Sequence, residues 1–210
     1  MMIELENLIG IIVKNNDLHA RWLNSLSMME NTGARKISAS EHPTQVNLTI
    51  LKHAAEEARH AFLLKRQMSK LVPLEQYPTY EAPYLLAPVK SYQYLQALDV
   101  AASRYVKKHF QLADYDLKYA AYLLVTYAIE VRADELYPIY QKVLTREKSK
   151  IQVKAIIVEE EGHLQEMVAQ LKDFSPEWEQ HAEAICAIEG KLFTQWIAQV
   201  GKEVEQTALV

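Results

Sequence analysis

The chain has 210 residues, of which half are hydrophobic and 24% are charged, and its formal net charge is −4 at pH 7. This composition predicts a single globular domain over residues 1–210, and an acidic chain without a Lys- and Arg-rich block is untypical of nucleic-acid-binding proteins. Cys186 is the single cysteine, which excludes an internal disulfide and metal sites built from several thiolates.

The beginning of the chain does not resemble a secretion signal. Glu4 and Glu6 stand where such a signal would carry positive charge. No apolar run in the sequence approaches the roughly 18 residues of a membrane-spanning helix. We therefore expect a cytoplasmic protein that does not enter a membrane.

Helix-favouring residues fill the long intervals between five glycines and seven prolines, so the sequence predicts an all-α protein. The first helix is expected to begin at Asp17 as its N-cap, with a backward extension through residues 4–14 as the alternative. Pro138 is expected to kink the fourth helix, and Pro176 to stand in the first turn of the last. The predicted core helices cover about 17–37, 43–71, 112–145 and 149–172, and two additional helices cover about 91–110 and 176–205.

Two of the predicted core helices carry a glutamate and a histidine three positions apart on an apolar face. Glu57 and His60 form the first E-x-x-H unit, in KHAAEEARHAFLLKR, and Glu160 and His163 form the second, in VKAIIVEEEGHLQEM. Burying such groups is unfavourable unless they are paired or bind a metal. One E-x-x-H unit carries little information because chance matches are frequent, whereas two units on apolar faces predict a shared site.

Each unit also has a lone glutamate on the apolar face of the preceding core helix, namely Glu30 and Glu130, about thirty residues upstream. That distance leads from the middle of one helix, through a turn, to the middle of an antiparallel neighbour. A four-helix bundle would then gather the four carboxylates and two imidazoles at one level. Oxygen and imidazole ligands without thiolate suit two iron ions, with manganese as the alternative metal. The competing interpretation is a set of buried ion pairs or of misjudged surface positions.

With these residues the sequence resembles the ferritin-like di-iron carboxylate superfamily over about 17–71 and 112–172. The resemblance implies a four-helix bundle of up-down-down-up order with one long crossover, to which this chain adds a crossover helix and a C-terminal helix. The ligand roles that it implies are bridging for Glu57 and Glu160, terminal for Glu30 and Glu130, and nitrogen ligation for His60 and His163.

Within this superfamily, EEARH looks most like the oxygen-activating branches, the desaturases and hydrocarbon monooxygenases, where an acid precedes the ligand Glu and Arg precedes the His. EEEGH keeps the acid but has Gly162 in place of Arg. The resemblance implies that the preceding acid accepts a hydrogen bond from the histidine of the opposite helix, which pairs Glu159 with His60 and Glu56 with His163. A salt-bridged surface position is the alternative role of both acids.

The resemblance further implies an oxidoreductase in which the metal centre activates O₂ to oxidise or hydroxylate a small organic substrate, with an external electron donor. The tyrosine-rich stretch around Tyr77, Tyr80 and Tyr84 is expected to help roof the substrate pocket. The alternatives are a ferroxidase, iron-storage or peroxide-scavenging protein of the bacterioferritin or rubrerythrin type, and a metal-dependent scaffold without turnover. We expect a small assembly, at most a homodimer or tetramer.

Two residues near Glu130 are candidate catalytic residues. Asp134 would deliver protons to the centre or, alternatively, hold a neighbouring basic side chain. Tyr127 lies within one turn of Glu130 and is alternatively a core tyrosine. His53, one turn before the first E-x-x-H unit, is a candidate seventh ligand or a packed side chain.

Overall fold

The structure is a computed structural model that describes residues 2–208. Within these residues the chain is all-helical, with seven α-helices, three short 3₁₀ helices and no strand, which confirms the predicted fold class. The α-helices are α1 (Met2–Lys14), α2 (Asn16–Ala39), α3 (Leu48–Gln67), α4 (Pro88–Phe110), α5 (Asp114–Arg146), α6 (Lys154–Phe174) and α7 (Trp178–Ala208), and the 3₁₀ helices are Met68–Lys70, Leu74–Gln76 and Ala82–Tyr84.

The first predicted helix is divided differently from what the sequence suggested. Residues 4–14 belong to a separate helix, and α2 begins after Asn15, whose extended backbone and side chain form the cap. The Asn15 side chain accepts hydrogen bonds from the backbone N–H groups of Asp17, at 3.0 Å, and Leu18, at 3.1 Å. The expected N-cap at Asp17 is therefore wrong, because the asparagine two positions earlier already satisfies the first free N–H groups of the helix.

The second and fifth predicted helices also begin later than expected. The start predicted at 43 moves to Leu48, because the side chain of Asn47 caps the backbone N–H groups of Thr49 and Ile50. The start predicted at 149 moves to Lys154. Pro176 lies in a turn before α7 and not in its first turn. The remaining boundaries shift by only a few residues, and α5 continues as one helix through Pro138.

The two helices of the first pair, α2 and α3, pack along each other. Ser27 Oγ donates a hydrogen bond to the carbonyl oxygen of Ala61 at 2.7 Å, and Lys65 Nζ donates to Asn24 Oδ1 at 2.6 Å. Residue numbers thus rise along one helix as they fall along the other. The two helices run antiparallel, which places the middle of α2 beside the middle of α3.

Three further helix pairs show the same relation, namely α5 with α6, α3 with α6, and α2 with α5. In each pair, contacting residues have numbers that rise on one helix and fall on the other, so each pair is antiparallel. The contacts are Tyr119 with Gln170 and Glu130 with His163 for α5 and α6, Lys52 with Glu166 and His60 with Glu159 for α3 and α6, and His19 with Tyr140 and Glu30 with Tyr137 for α2 and α5.

The helices α4 and α7 pack on each other and on α5. Trp196 of α7 stacks on Trp22 of α2, with ring centroids 5.3 Å apart, and both rings are fully buried. These two helices therefore cover one side of the four central helices. Across the described residues, no helix combines the length and the apolar character needed to cross a membrane.

Candidate metal centre

The six predicted ligands come together in the middle of the four central helices. Glu30 lies on α2, Glu57 and His60 on α3, Glu130 on α5, and Glu160 and His163 on α6. Glu30 is half-buried and the other five are buried. In each E-x-x-H unit the i, i+3 spacing places the carboxylate and the imidazole on one face of the helix, so both point into the core.

The six residues form two overlapping groups, each able to hold one ion. In each group, one potential ligand atom from every residue lies within 4.8 Å of the others. Glu57 and Glu160 belong to both groups, whereas each of the other residues belongs to one. The groups are Glu30, Glu57, His60 and Glu160, and Glu57, Glu130, Glu160 and His163.

Each histidine of the cluster is held from outside by an acid of the facing helix. His60 Nε2 lies 2.8 Å from Glu159 Oε2, and His163 Nε2 lies 2.8 Å from Glu56 Oε2. Both hydrogen-bond pairings inferred from the sequence are therefore present. The alternative role, a salt-bridged surface position, also applies to Glu159, because it accepts a further hydrogen bond from Arg59 Nη1 at 2.9 Å. With Nε2 donating to the outer acid, Nδ1 of each imidazole faces the acids of the cluster and could act as a ligand once it carries no proton.

Two buried polar atoms of the cluster lack a hydrogen-bond partner within residues 2–208. They are His60 Nδ1 and Glu130 Oε2. His60 Nδ1 lies 3.1 Å from Glu160 Oε1, but without the geometry of a hydrogen bond. A buried polar atom without a partner is unfavourable by roughly 1–3 kcal/mol. Both atoms are potential metal ligands, so this donor set fits a bound cation.

The electrostatics of the cluster reflect its excess of acids. Burial, followed by the charge of Glu30, raises the pKa of Glu57 well above its ordinary value, and burial with the charge of Glu160 raises the pKa of Glu130 similarly. Burial alone would lower the pKa of His163, but its contacts with Glu130 and Glu160 raise it to about 11. In the absence of a cation the cluster therefore retains protons, which a bound metal ion would displace.

Glu160 differs from its neighbours. Burial alone would raise its pKa, but the neighbouring Glu130, His163 and His60 side chains hold the pKa below the ordinary value. Glu160 is thus the acid of the cluster that stays ionised most readily, and it stands between both imidazoles: its Oε1 lies 3.1 Å from His60 Nδ1 and its Oε2 lies 3.3 Å from His163 Nδ1.

Tyr137 of α5 is a functional candidate that was not predicted from the sequence. Its buried hydroxyl donates a hydrogen bond to Glu30 Oε1. Burial, followed by the charge of Glu30, raises the pKa of the Tyr137 hydroxyl well above its ordinary value, so the group remains a donor. Its position seven residues after Glu130, on the same helix face, is the signal that could have identified it.

A cavity of about 360 Å³ adjoins the cluster, and Glu30, Glu57 and Glu130 form part of its wall. Apart from these acids the wall comes from α2, α4, α5 and α7. The expected roof of Tyr77, Tyr80 and Tyr84 is wrong, because these residues line no part of this cavity. The aromatic roof is instead formed by Tyr94 of α4 and by Phe193 and Trp196 of α7, with Tyr122 and Tyr137 contributed by α5.

The tyrosine-rich stretch has another role, namely to fasten the crossover to α2 and its neighbours. The hydroxyl of Tyr80 is hydrogen-bonded to Ser27 Oγ at 2.8 Å, and the carbonyl oxygen of Tyr84 accepts a hydrogen bond from Asn24 Nδ2 at 2.9 Å. Tyr77 donates to the carboxylate of Asp17 near the start of α2.

The two candidate catalytic residues do not join the cluster. Asp134 is exposed and does not line the cavity. Tyr127 packs edge-on against Trp178, with ring centroids 6.0 Å apart, and therefore faces α7. Tyr127 and Asp134 lie only about 40–60° around the helix from Glu130, but this offset is enough to turn both away from the cluster.

His53 is packed and hydrogen-bonded rather than open to a ligand. Its Nε2 lies 2.8 Å from Glu166 Oε2 and its Nδ1 lies 3.2 Å from the hydroxyl of Tyr122. Both ring nitrogens are thus occupied. Glu166 is held by this histidine and by Lys52.

Comparison with known proteins gives no family assignment. No protein-family model matches the chain, and neither a curated protein nor a solved structure matches it. The functional argument therefore depends on the geometry of the site itself.

Proposed function

We propose that the cluster is a di-metal centre of the ferritin-like carboxylate type and holds two iron ions, with manganese as the alternative. The observation that carries this proposal is that two ligand groups share Glu57 and Glu160. Two ions separated by shared carboxylates require such an overlap, whereas independent ion pairs do not. The pairwise antiparallel packing of α2, α3, α5 and α6 is compatible with the up-down-down-up order of that bundle.

In this centre Glu57 and Glu160 would bridge the ions, while Glu30 and Glu130 would each bind one. His60 and His163 would supply one Nδ1 each. Bound iron(II) ions would supply the two electrons and the open coordination positions that reduction of O₂ requires. Two divalent cations would also offset the four carboxylate charges of the cluster.

The surrounding residues prepare the ligands for this task. Glu159 and Glu56 fix the ring orientation of His60 and His163 and increase the basicity of each Nδ1. The Tyr137 hydroxyl holds one oxygen of Glu30 and so limits its rotation. Apolar side chains of α4 and α7 line the cavity beside the centre, and such low-polarity surroundings strengthen electrostatic interactions.

We further propose that the centre activates O₂ to oxidise a small organic substrate. The cavity supports this function because it places an apolar volume against Glu30, Glu57 and Glu130. A ferroxidase or peroxide scavenger would use the same six ligands but has no need of an apolar cavity beside them. The single cysteine leaves no redox-active pair in the chain, so electrons would come from an external donor.

The stoichiometry of the reaction with O₂ tests this proposal. Anaerobic protein loaded with Fe(II) should consume about one O₂ per pair of ions and then stop until a reductant and a substrate are supplied. Oxygen consumption and iron oxidation can be followed together after rapid mixing. Continued oxidation of added Fe(II) over many cycles would support the ferroxidase alternative, and rapid removal of peroxide with reductant alone would support the scavenger.

A further inference from the structure

The cavity beside the centre runs lengthwise between α2 and α5. Its wall on α2 extends from Leu26 to Ser40, which corresponds to about 21 Å along the helix axis at 1.5 Å per residue. A volume of about 360 Å³ distributed over this length makes the cavity narrow. An elongated molecule therefore fits the space better than a compact ring system.

The two ends of the cavity differ in polarity and access. One end is closed by buried apolar side chains, among them Trp196, which is 1% exposed, and Leu26, which is 3% exposed. At the other end the wall includes the exposed Lys118 and the partly exposed Lys36 and Asp99. A ligand would enter from this charged end, hereafter called the mouth.

The mouth carries an excess of positive charge. Lys36 Nζ lies 2.8 Å from Asp99 Oδ2, so these two charges offset each other. Lys118 has no hydrogen bond or ion pair with any other described residue. The four carboxylates of the proposed centre would be offset by two divalent ions, so the unbalanced positive charge along the cavity lies at the mouth.

Gly33 lies on α2 between the mouth and the closed end. Gly33 lies inside α2, where a glycine is about 1 kcal/mol less favourable than alanine. Its presence therefore indicates a local structural reason. A Cβ atom at this position would lie 3.9 Å from Glu57 Oε2, and Gly33 lines the cavity. The absence of a side chain keeps the passage next to Glu57 open.

We propose that the cavity binds an elongated organic anion. Its apolar body lies along α2 past Gly33 and Glu30 towards Trp196, and its anionic end pairs with Lys118 at the mouth. This inference rests on the proposed function, because it names the substrate class of the same centre. Six residues, or about 9 Å of helix axis, separate Lys36 from Glu30, so an interior position of the ligand faces the centre.

Calorimetric titration with decanoate tests the charge at the mouth, with 1-decanol as the uncharged probe and acetate as the short one. Decanoate should bind in a ratio of one per chain, and acetate should not bind at the same concentrations. Lys118→Ala should weaken decanoate binding about three- to fivefold, the effect of one exposed ion pair, and leave 1-decanol unchanged. Lys108→Ala, an exposed lysine of α4 outside the cavity, is the matched control. Equal decanoate affinity in the Lys118→Ala protein and the wild type would overturn the proposal.

Filling the passage tests the path of the apolar body. Gly33→Leu should weaken binding of decanoate and of 1-decanol more than tenfold, whereas Gly33→Ala should retain it. Ala133→Leu, which fills the same cavity from α5, is the second filling variant. Decanoate binding that survives both leucine substitutions would overturn the proposed path.

Metal content measured on the same samples separates this inference from the proposed function. Two ions per chain without decanoate binding would refute the elongated anion and leave the di-metal centre intact. Binding that follows the expected pattern in a protein that takes up no iron or manganese would refute the di-metal centre and leave the cavity assignment intact.

Discussion

Two buried polar clusters lie against α5, and they differ in how their charges are balanced. One is the proposed metal centre. The other, called the clamp here, consists of Arg132, Glu189 and Tyr94 and joins α5 to α7 and α4. Arg132 donates from Nε and Nη2 to the two carboxylate oxygens of Glu189, at 2.9 and 2.8 Å, and the Tyr94 hydroxyl donates to the same carboxylate.

The charges and hydrogen bonds of the clamp are balanced within the protein, whereas those of the centre are not. Glu189 is 2% exposed, but its charge faces the guanidinium of Arg132, and each of its oxygens accepts a hydrogen bond. The centre combines four carboxylates with two imidazoles and leaves His60 Nδ1 and Glu130 Oε2 without partners in the described part of the chain. Burial of acids alone is therefore a weak indicator of a metal site, and the unbalanced charge is the informative property.

The largest expected effect is the loss of both ions when a bridging residue is removed. Glu57→Ala or Glu160→Ala should reduce the content from two iron or manganese ions per chain to nearly none, because each residue belongs to both ligand groups. Elemental analysis after reconstitution measures this, and circular dichroism should show retained helix, since apolar packing supplies most of the stability. The exposed Glu161 provides the matched control, Glu161→Ala. One tightly bound zinc ion in the wild type would contradict the centre.

Breaking the clamp should affect stability and not metal content. Arg132→Ala leaves the buried Glu189 without its counter-charge and should lower the free energy of unfolding by about 3–5 kcal/mol. The triple variant Arg132→Met, Glu189→Leu, Tyr94→Phe removes all three polar groups and should recover most of that loss. Urea unfolding of both variants gives the comparison, and a triple variant as unstable as the single one would show that the clamp is not a self-contained ion pair.

Removing an outer acid should weaken the centre without abolishing it. Glu159→Ala or Glu56→Ala should lower metal affinity about 10- to 100-fold, because His60 or His163 loses the partner that orients its ring. Competition with a chelator of known affinity measures the change. Arg59→Ala removes only the salt bridge to Glu159, so it should leave metal affinity nearly unchanged. An equal loss in the Arg59→Ala protein would assign the effect to the surface ion pair.

The smallest effect concerns the pH dependence of the metal-free protein. Burial would lower the pKa of His163, but its carboxylate neighbours raise it from the ordinary value of 6.5 to about 11. Between these two pH values the folded state therefore binds one more proton than the unfolded state. The stabilisation is complete below about pH 6.5 and is lost as the pH rises, by about 1.4 kcal/mol per pH unit. The raised pKa of Glu57 acts in the same direction above its ordinary value.

Denaturant unfolding at pH 7 and pH 8 measures this dependence in metal-free and metal-loaded samples. The loaded protein should show a smaller loss, because the ions displace these protons before unfolding begins. The triple clamp variant should show the same slope as the wild type. A metal-free protein whose stability is equal at both pH values would contradict the assigned protonation of the cluster.

The sequence predicted which six residues would lie together because helical spacing alone determines which side chains share a face. The three-residue spacing of Glu57 and His60, repeated by Glu160 and His163, survives errors of several residues in the helix ends. The six predicted residues meet in the structure for this reason. Each outer acid contacts the histidine of the facing helix because α3 and α6 pack antiparallel.

The sequence was less informative where contacts depend on how helices pack. Asn15 and Asn47 set helix starts through local capping bonds, which compete with weak helix propensities at those positions. Tyr127 was the predicted candidate because it lies within one turn of Glu130 in the sequence, whereas the tyrosine that reaches Glu30 is Tyr137. The roof from α4 and α7 was missed because the sequence does not show which side of the central helices an additional helix will cover.

The sharing of Glu57 and Glu160 has a consequence for how the proposed centre would fill. The first ion would displace the protons that the raised pKa of Glu57 retains and would fix the orientation of both bridging carboxylates. The second ion would then meet ligands that are already ionised and ordered, so it would bind without the free-energy cost of deprotonating and ordering the shared carboxylates. Loading would consequently be positively cooperative: a titration would pass from empty to doubly occupied protein with little of the singly occupied form, and the two metals would behave as one unit.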